Sequence, residues 1–178
     1  LYTNLYTFDE SGKRFLLSKV DVTNGKRISF QFEASQYNKG WNELFSTNQH
    51  TFISGPTGNP KFMQIFMDTI FEITPKGIKP YITLQSKKLV TKEYLETLIA
   101  ENDMSKSARV SKICDRLMKT DKIYNVFDYW ETAKYIHFGY HIGFYLYSIL
   151  YKKEENKAYV MSGITDDLLY TDKAGTLL

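Results

Sequence analysis

The sequence predicts an α+β fold: an N-terminal antiparallel β meander followed by a helical C-terminal half with one long aromatic helix. Three observations carry this reading. Ile28, Phe30 and Phe32 alternate with Ser29, Gln31 and Glu33, the period-two pattern of a strand with one buried face. Turn signals punctuate the first third, above all Asn24-Gly25, a pair that tolerates the positive φ of a tight hairpin. The composition then changes at Thr91, where Thr91-Lys92-Glu93 opens a helical run.

Taken in order, residues 14–22 have strand composition between the turns at 9–12 and 23–26, and 28–33 complete a three-strand meander. A short helix is expected around 41–45 and a short strand over 50–53. The segment 54–60 (Ser-Gly-Pro-Thr-Gly-Asn-Pro) reads as a loop, with Asn59 placed to cap a helix that starts at Pro60. Phe62, Ile65, Phe66, Thr69, Ile70 and Ile73 fall at helical spacing, while the β-branched run 69–74 and the Pro75-Lys76-Gly77 turn point to a hairpin with 81–84. Helix first and strand later is the expectation there. Helices follow over 91–99 and 105–119, then a long one over 125–153, and a last strand over 157–161.

With 178 residues and 43% hydrophobic content, the chain suits one domain, 1–178, divided into a β-rich half (1–88), a helical half (89–156) and a short strand and tail (157–178). The composition excludes collagen, a disulfide scaffold and wholesale disorder. The single cysteine, Cys114, rules out an internal disulfide and fits a reducing compartment. That makes the cytoplasm the expected location, and the opening residues 1–8 read as too short and polar for a signal peptide. The 17 residues of 135–151 are the one stretch to test for membrane insertion, but two histidines and five tyrosines favour a core or interface helix. No membrane partner is expected.

The formal net charge is only +3, so the placement of charge matters more than its sum. On a helix over 105–119, Val110, Ile113, Cys114, Leu117 and Met118 share one face. Lys106, Arg109, Lys112, Arg116 and Lys119 gather on an adjoining arc, with Lys122 just beyond. Such a stripe attracts phosphates, and after a preceding helix it has the outline of a helix-turn-helix. The leading expectation is therefore a non-enzymatic nucleic-acid-binding or regulatory protein, with Tyr124 or Trp41 available to stack on bases. A solvated helix face is the plainer reading of the same residues.

The alternative is a protein-interaction module. Gly139 and Gly143 form a Gly-x-x-x-Gly spacing on the long helix, flanked by Tyr140 and Phe144, which would let a second backbone approach closely and pair two copies. A third reading is a metal-dependent nuclease. Pro75-Lys76 and Gln85-Ser86-Lys87 outline such a hairpin, with Asp68 and Glu72 upstream, but Lys76 and Gln85 stand where metal-binding acids belong. His137 and His141 would share a helix face, yet Phe138 replaces the glutamate of the zinc-protease motif. Gly55 and Gly58 are too close for a phosphate loop, and no nucleophile elbow is present. No catalytic residue, metal ligand or cofactor is expected.

Overall fold

The computed structural model describes residues 1–3, 7–39, 52–53, 58–100 and 106–161. Its architecture is three antiparallel sheets met in chain order. In the first, β1 (Tyr2–Thr3) and β2 (Thr7–Phe8) pair with successive stretches of β3 (Arg14–Val20), which also pairs with β4 (Arg27–Glu33). This is the meander read from the sequence. Gly25 takes φ +70° in its turn and donates its N–H to the Asp21 carbonyl at 2.9 Å. A four-residue helix, α1 (Ala34–Tyr37), follows β4.

The second sheet runs β5 (Phe52–Ile53), β6 (Lys61–Phe62), β7 (Thr69–Thr74) and β8 (Gly77–Thr83). The Pro75-Lys76 turn sets Thr74 opposite Gly77 and Glu72 opposite Lys79, as the turn chemistry suggests. The helix expected from Pro60 is absent. Lys61 and Phe62 are strand, and the Pro60 carbonyl accepts the Ile73 N–H at 2.9 Å. The apolar residues at helical spacing there serve two different faces of a sheet and a turn. The helix expected over 41–45 lies outside the described residues.

Two helices come next, α2 (Lys92–Ala100) and α3 (Lys106–Leu117), close to their expected bounds. Leu95, Leu98, Ile113 and Leu117 pack with Val90, Ile65 and Phe66 into a small core of their own.

The third sheet overturns the α+β expectation. Residues expected to form the long helix form instead β9 (Ile123–Glu131), β10 (Tyr135–Ile142) and β11 (Tyr145–Lys152). With β12 (Lys157–Met161) they complete a four-stranded antiparallel meander. The molecule is therefore mostly antiparallel β, with short helices, and there is no helical half. The physical reason is that β10 is covered on both faces. Ile136 through Tyr140 are all buried, so the period-two signature vanishes and a continuous apolar run mimics a buried helix. Gly143-Phe144 closes β10 to β11 in two residues, with Gly143 at φ +56° and Ile142 opposite Tyr145. Glycine at the first position of such a turn relieves the steric cost of positive φ.

The sheets stack serially. Phe32 of the first lies on Phe62 (5.3 Å, stacked) and Phe71 (4.5 Å) of the second. The second meets the third through Tyr81 and Glu131, and one core runs from Leu16 and Leu17 through Phe62 and Ile70 to Val126 and Phe138. Burying each of these side chains contributes about 1.5–3 kcal/mol before entropy is counted.

Candidate functional site

The seam between the second and third sheets joins a buried polar network to an open apolar hollow. On the second sheet, Lys61, Glu72 and Lys79 occupy directly paired positions of β6, β7 and β8. Their side chains converge: Lys61 Nζ reaches Glu72 Oε1 at 2.7 Å, and Lys79 Nζ reaches Oε2 at 2.9 Å. The Lys61 side chain is 0% exposed and that of Glu72 4%, so this is a core ion pair that Lys79 ties to the surface. Lys61 Nζ also sits 4.1 Å from the centre of the Tyr81 ring, a cation–π contact.

Tyr81 carries the network across. Its hydroxyl donates to Glu131 Oε1 at 2.6 Å, and Tyr129 donates to Oε2 at 2.5 Å. Lys153 pairs with the same carboxylate and also donates to the Thr132 carbonyl at 2.8 Å. Burial alone would raise the Glu131 carboxyl. The hydrogen bonds from Lys153, Tyr129 and Tyr81 outweigh it and hold the group below the ordinary carboxylate range. Burial and the adjacent Glu131 charge push both tyrosine hydroxyls well above their usual value. The network is thus a carboxylate that accepts from three donors, two of them phenols pushed towards the protonated form. It ties β8 to β9 and to the residues that follow β11.

Beside it lies the hollow, about 370 Å³, walled by Tyr81, Ile82, Leu84, Ile136, Phe138, Ile149, Tyr151 and Ala158. A second hollow of about 200 Å³ shares Leu84, Phe138 and Ile149 and extends the surface towards Gln85, Ser86 and Tyr140. The inner faces of β10 and β11 supply the floor, because alternate residues from Ile136 and Ile149 onward point the same way.

The residues singled out from the sequence are distributed differently. Lys112, Arg116 and Lys119 are exposed on or just after α3, with Lys122 immediately before β9, so part of the cationic arc is present. The side chains of Lys106 and Arg109 lie outside the described residues. Ile113 and Leu117 are buried as expected, and burial raises the Cys114 thiol, which marks it as a packing residue. The proposed helix–helix stripe does not exist. Gly139 sits in a strand under the Phe127 ring, Gly143 makes a turn, Tyr140 stacks inward on Tyr147 at 5.4 Å, and Phe144 points into solvent.

His137 and His141 share a face of β10, but four residues of strand separate them by roughly 13 Å, against about 6 Å along a helix, too far to share one ion. His137 is buried, with Nδ1 3.0 Å from the Asp128 carbonyl and its ring stacked on Trp130. Burial lowers the pKa of His141, whose ring stacks on Phe127. Among the described residues, no three His, Cys, Asp or Glu side chains converge on a metal-sized site. The nuclease outline fails too: Lys76 is in a turn, and Glu72 is held by two lysines. No described helix is long and apolar enough to cross a membrane.

Sequence reasoning missed the seam. One part was legible: a two-residue Pro75-Lys76 turn puts Glu72 opposite Lys79. Lys61 and Glu131 come from strands whose register with that hairpin no local pattern encodes.

No family model matches the chain, and no curated protein does. A solved structure is similar: a "putative exported protein" of Bacteroides fragilis, with a TM-score of 0.63 and 15% identity over 89% of this chain. The chain spans 41% of the length of that protein. At this identity the likeness establishes the fold alone. The name of this neighbour runs against the cytoplasmic location expected from the single cysteine, and that expectation is withdrawn together with cytoplasmic DNA binding.

Proposed function

We propose that the chain is a non-enzymatic binding module of an exported protein, and that the hollow between its second and third sheets receives an apolar group of a ligand. The observation that carries this is the open hollow of about 370 Å³, whose walls are apolar apart from two tyrosines. Ligand pockets of about 300–1,000 Å³ with mostly apolar walls and few polar groups are the usual form of small-molecule sites. The adjoining network supports binding over catalysis, since its carboxylate is already engaged by three donors and its phenols hold their protons. Export is carried over from the similar Bacteroides fragilis protein as part of this proposal.

Filling the hollow tests it. Ala158→Trp and Leu84→Trp place an indole in the cavity, one from each wall. Titration with the apolar fluorophore anilinonaphthalene sulfonate should show saturable binding to the parent. Each variant should weaken that binding by about tenfold or more, the equivalent of about 1.4 kcal/mol. Equal dye binding by parent and both variants, with unchanged circular dichroism, refutes the site.

A further inference from the structure

The β10–β11 turn projects three consecutive apolar residues into solvent: Phe144, Tyr145 and Leu146 are 78%, 71% and 48% exposed. The tip is held firmly. Tyr124 donates its hydroxyl to the Gly143 carbonyl at 3.0 Å, and Gly143 packs so closely on the backbone that an added Cβ would lie 2.8 Å from the Thr120 oxygen and 3.0 Å from that of Met118. This anchors the turn at the C-terminal end of α3, where Met118 is itself exposed. Lys119 is exposed between the two residues that Gly143 packs on and Lys122 follows shortly after, while Arg116 and Lys112 are exposed further back along α3. Two acids, Asp115 and Asp121, offset part of this charge, Asp121 lying 3.9 Å from Lys122, and leave an excess of two positive charges among these six residues.

We propose that this end of the molecule docks on an anionic lipid surface, with Phe144, Tyr145 and Leu146 entering the headgroup layer and the α3 lysines and arginine facing the lipid phosphates. Aromatic side chains favour the headgroup level of a bilayer, and basic residues close to an anionic surface add to the attraction. The aliphatic members of the patch separate a lipid surface from a nucleic acid. Leu146 and Met118 gain from an acyl boundary, whereas single-stranded nucleic acid is held by aromatic faces that stack on bases. The contact is peripheral, through a hairpin tip, and is distinct from the cleft described above.

Co-sedimentation with large unilamellar vesicles tests the idea, using the purified chain with phosphatidylglycerol–phosphatidylcholine vesicles, phosphatidylcholine vesicles and a labelled oligonucleotide. Binding to the anionic vesicles is expected, roughly thirtyfold tighter than to the neutral ones for two net charges, and weaker at high salt. The double variant Phe144→Ser/Tyr145→Ser should lose roughly tenfold or more of that binding, because exposed tip residues can change without unfolding the sheet. Lys119→Gln/Lys122→Gln should narrow the difference between the two vesicle types. Three results overturn the proposal: no binding to anionic vesicles, undiminished binding by a folded tip variant, or binding to the oligonucleotide without binding to vesicles.

Discussion

Replacing Glu72 with Gln keeps its shape but removes the carboxylate charge that pairs with Lys61 in the core. The ammonium is 0% exposed and loses the carboxylate at 2.7 Å, keeping a longer approach to the Asn59 carbonyl at 3.5 Å and the Tyr81 ring at 4.1 Å. Breaking a buried pair from one side costs about 3–5 kcal/mol, because the surviving charge remains desolvated. Lys61→Met should cost less, about 1–2 kcal/mol, since Glu72 retains Lys79 at 2.9 Å and no buried charge is left uncompensated. The double change Lys61→Met/Glu72→Leu removes both charges and should fall within about 1 kcal/mol of the parent. The assay is urea unfolding followed by circular dichroism. With a slope of about 2 kcal/mol per molar, Glu72→Gln moves the midpoint down by about 2 M, and the double variant largely restores it. A Glu72→Gln cost below about 1 kcal/mol would refute the reasoning. So would a Lys61→Met cost equal to it, because the argument depends on Lys79 compensating one loss and not the other.

The Glu131 cluster gives a pH prediction. Its carboxyl is held below the ordinary value of 4.5, so its stabilisation is fully present above that pH and is lost as pH falls through the lower folded-state value. Thermal melts from pH 7 to about 3 should show Glu131→Gln less stable than the parent at neutral pH, with the gap closing in acid; a constant gap would be inconsistent with the assignment. The glycines of the β10 hairpin should differ in tolerance. Gly143→Ala combines positive φ with a Cβ 2.8 Å from backbone oxygen, which cannot yield, and should cost about 2–4 kcal/mol. Gly139→Ala meets the tip of the Phe127 ring at 2.9 Å, which can shift, and should cost about 1–2 kcal/mol. Denaturant midpoints in the opposite order would contradict the hairpin geometry.

The elements legible in the sequence were those whose signals are local. Asn24-Gly25 and Pro75-Lys76 specify their hairpins by turn chemistry alone, and α2 and α3 show their starts and their apolar faces. The strands β9 to β11 carry no such marks. The β9–β10 connection is Thr132-Ala133-Lys134, without Gly, Pro or Asn, so no turn signal separates β9 from β10. An extra residue near Asp128, at φ +52°, shifts the register between Trp130 and Phe127 and scrambles any alternation along β9. Aromatic and β-branched residues were abundant enough to favour strand, but the unbroken burial of 136–140 erased the period that would have decided between strand and helix.

The same loss of period displaced the functional reading. Treated as a helix, residues 135–151 form one apolar rod, and its two glycines become a stripe for a partner. Treated as a hairpin, they acquire two faces with separate duties. The inner face places Ile136, Phe138, Ile149 and Tyr151 around the hollow, and the turn pushes Phe144 and Tyr145 out beside α3. Glu131 then stands directly opposite Ile136, which brings its carboxylate to Tyr81 from a strand 50 residues away in the chain. Tyr129 on its own strand and Lys153 after β11 already meet this acid, and the second sheet adds Tyr81; Lys61 in turn meets Glu72 across β6 and β7. Charges buried in the core of a stacked-sheet protein must find partners across strands, because water cannot solvate them there. Ionisable residues embedded in aromatic strand sequence are therefore the signal to follow: Lys61 between Pro60 and Phe62, and Glu131 after Tyr129-Trp130, are the positions where cross-strand partners should be sought first.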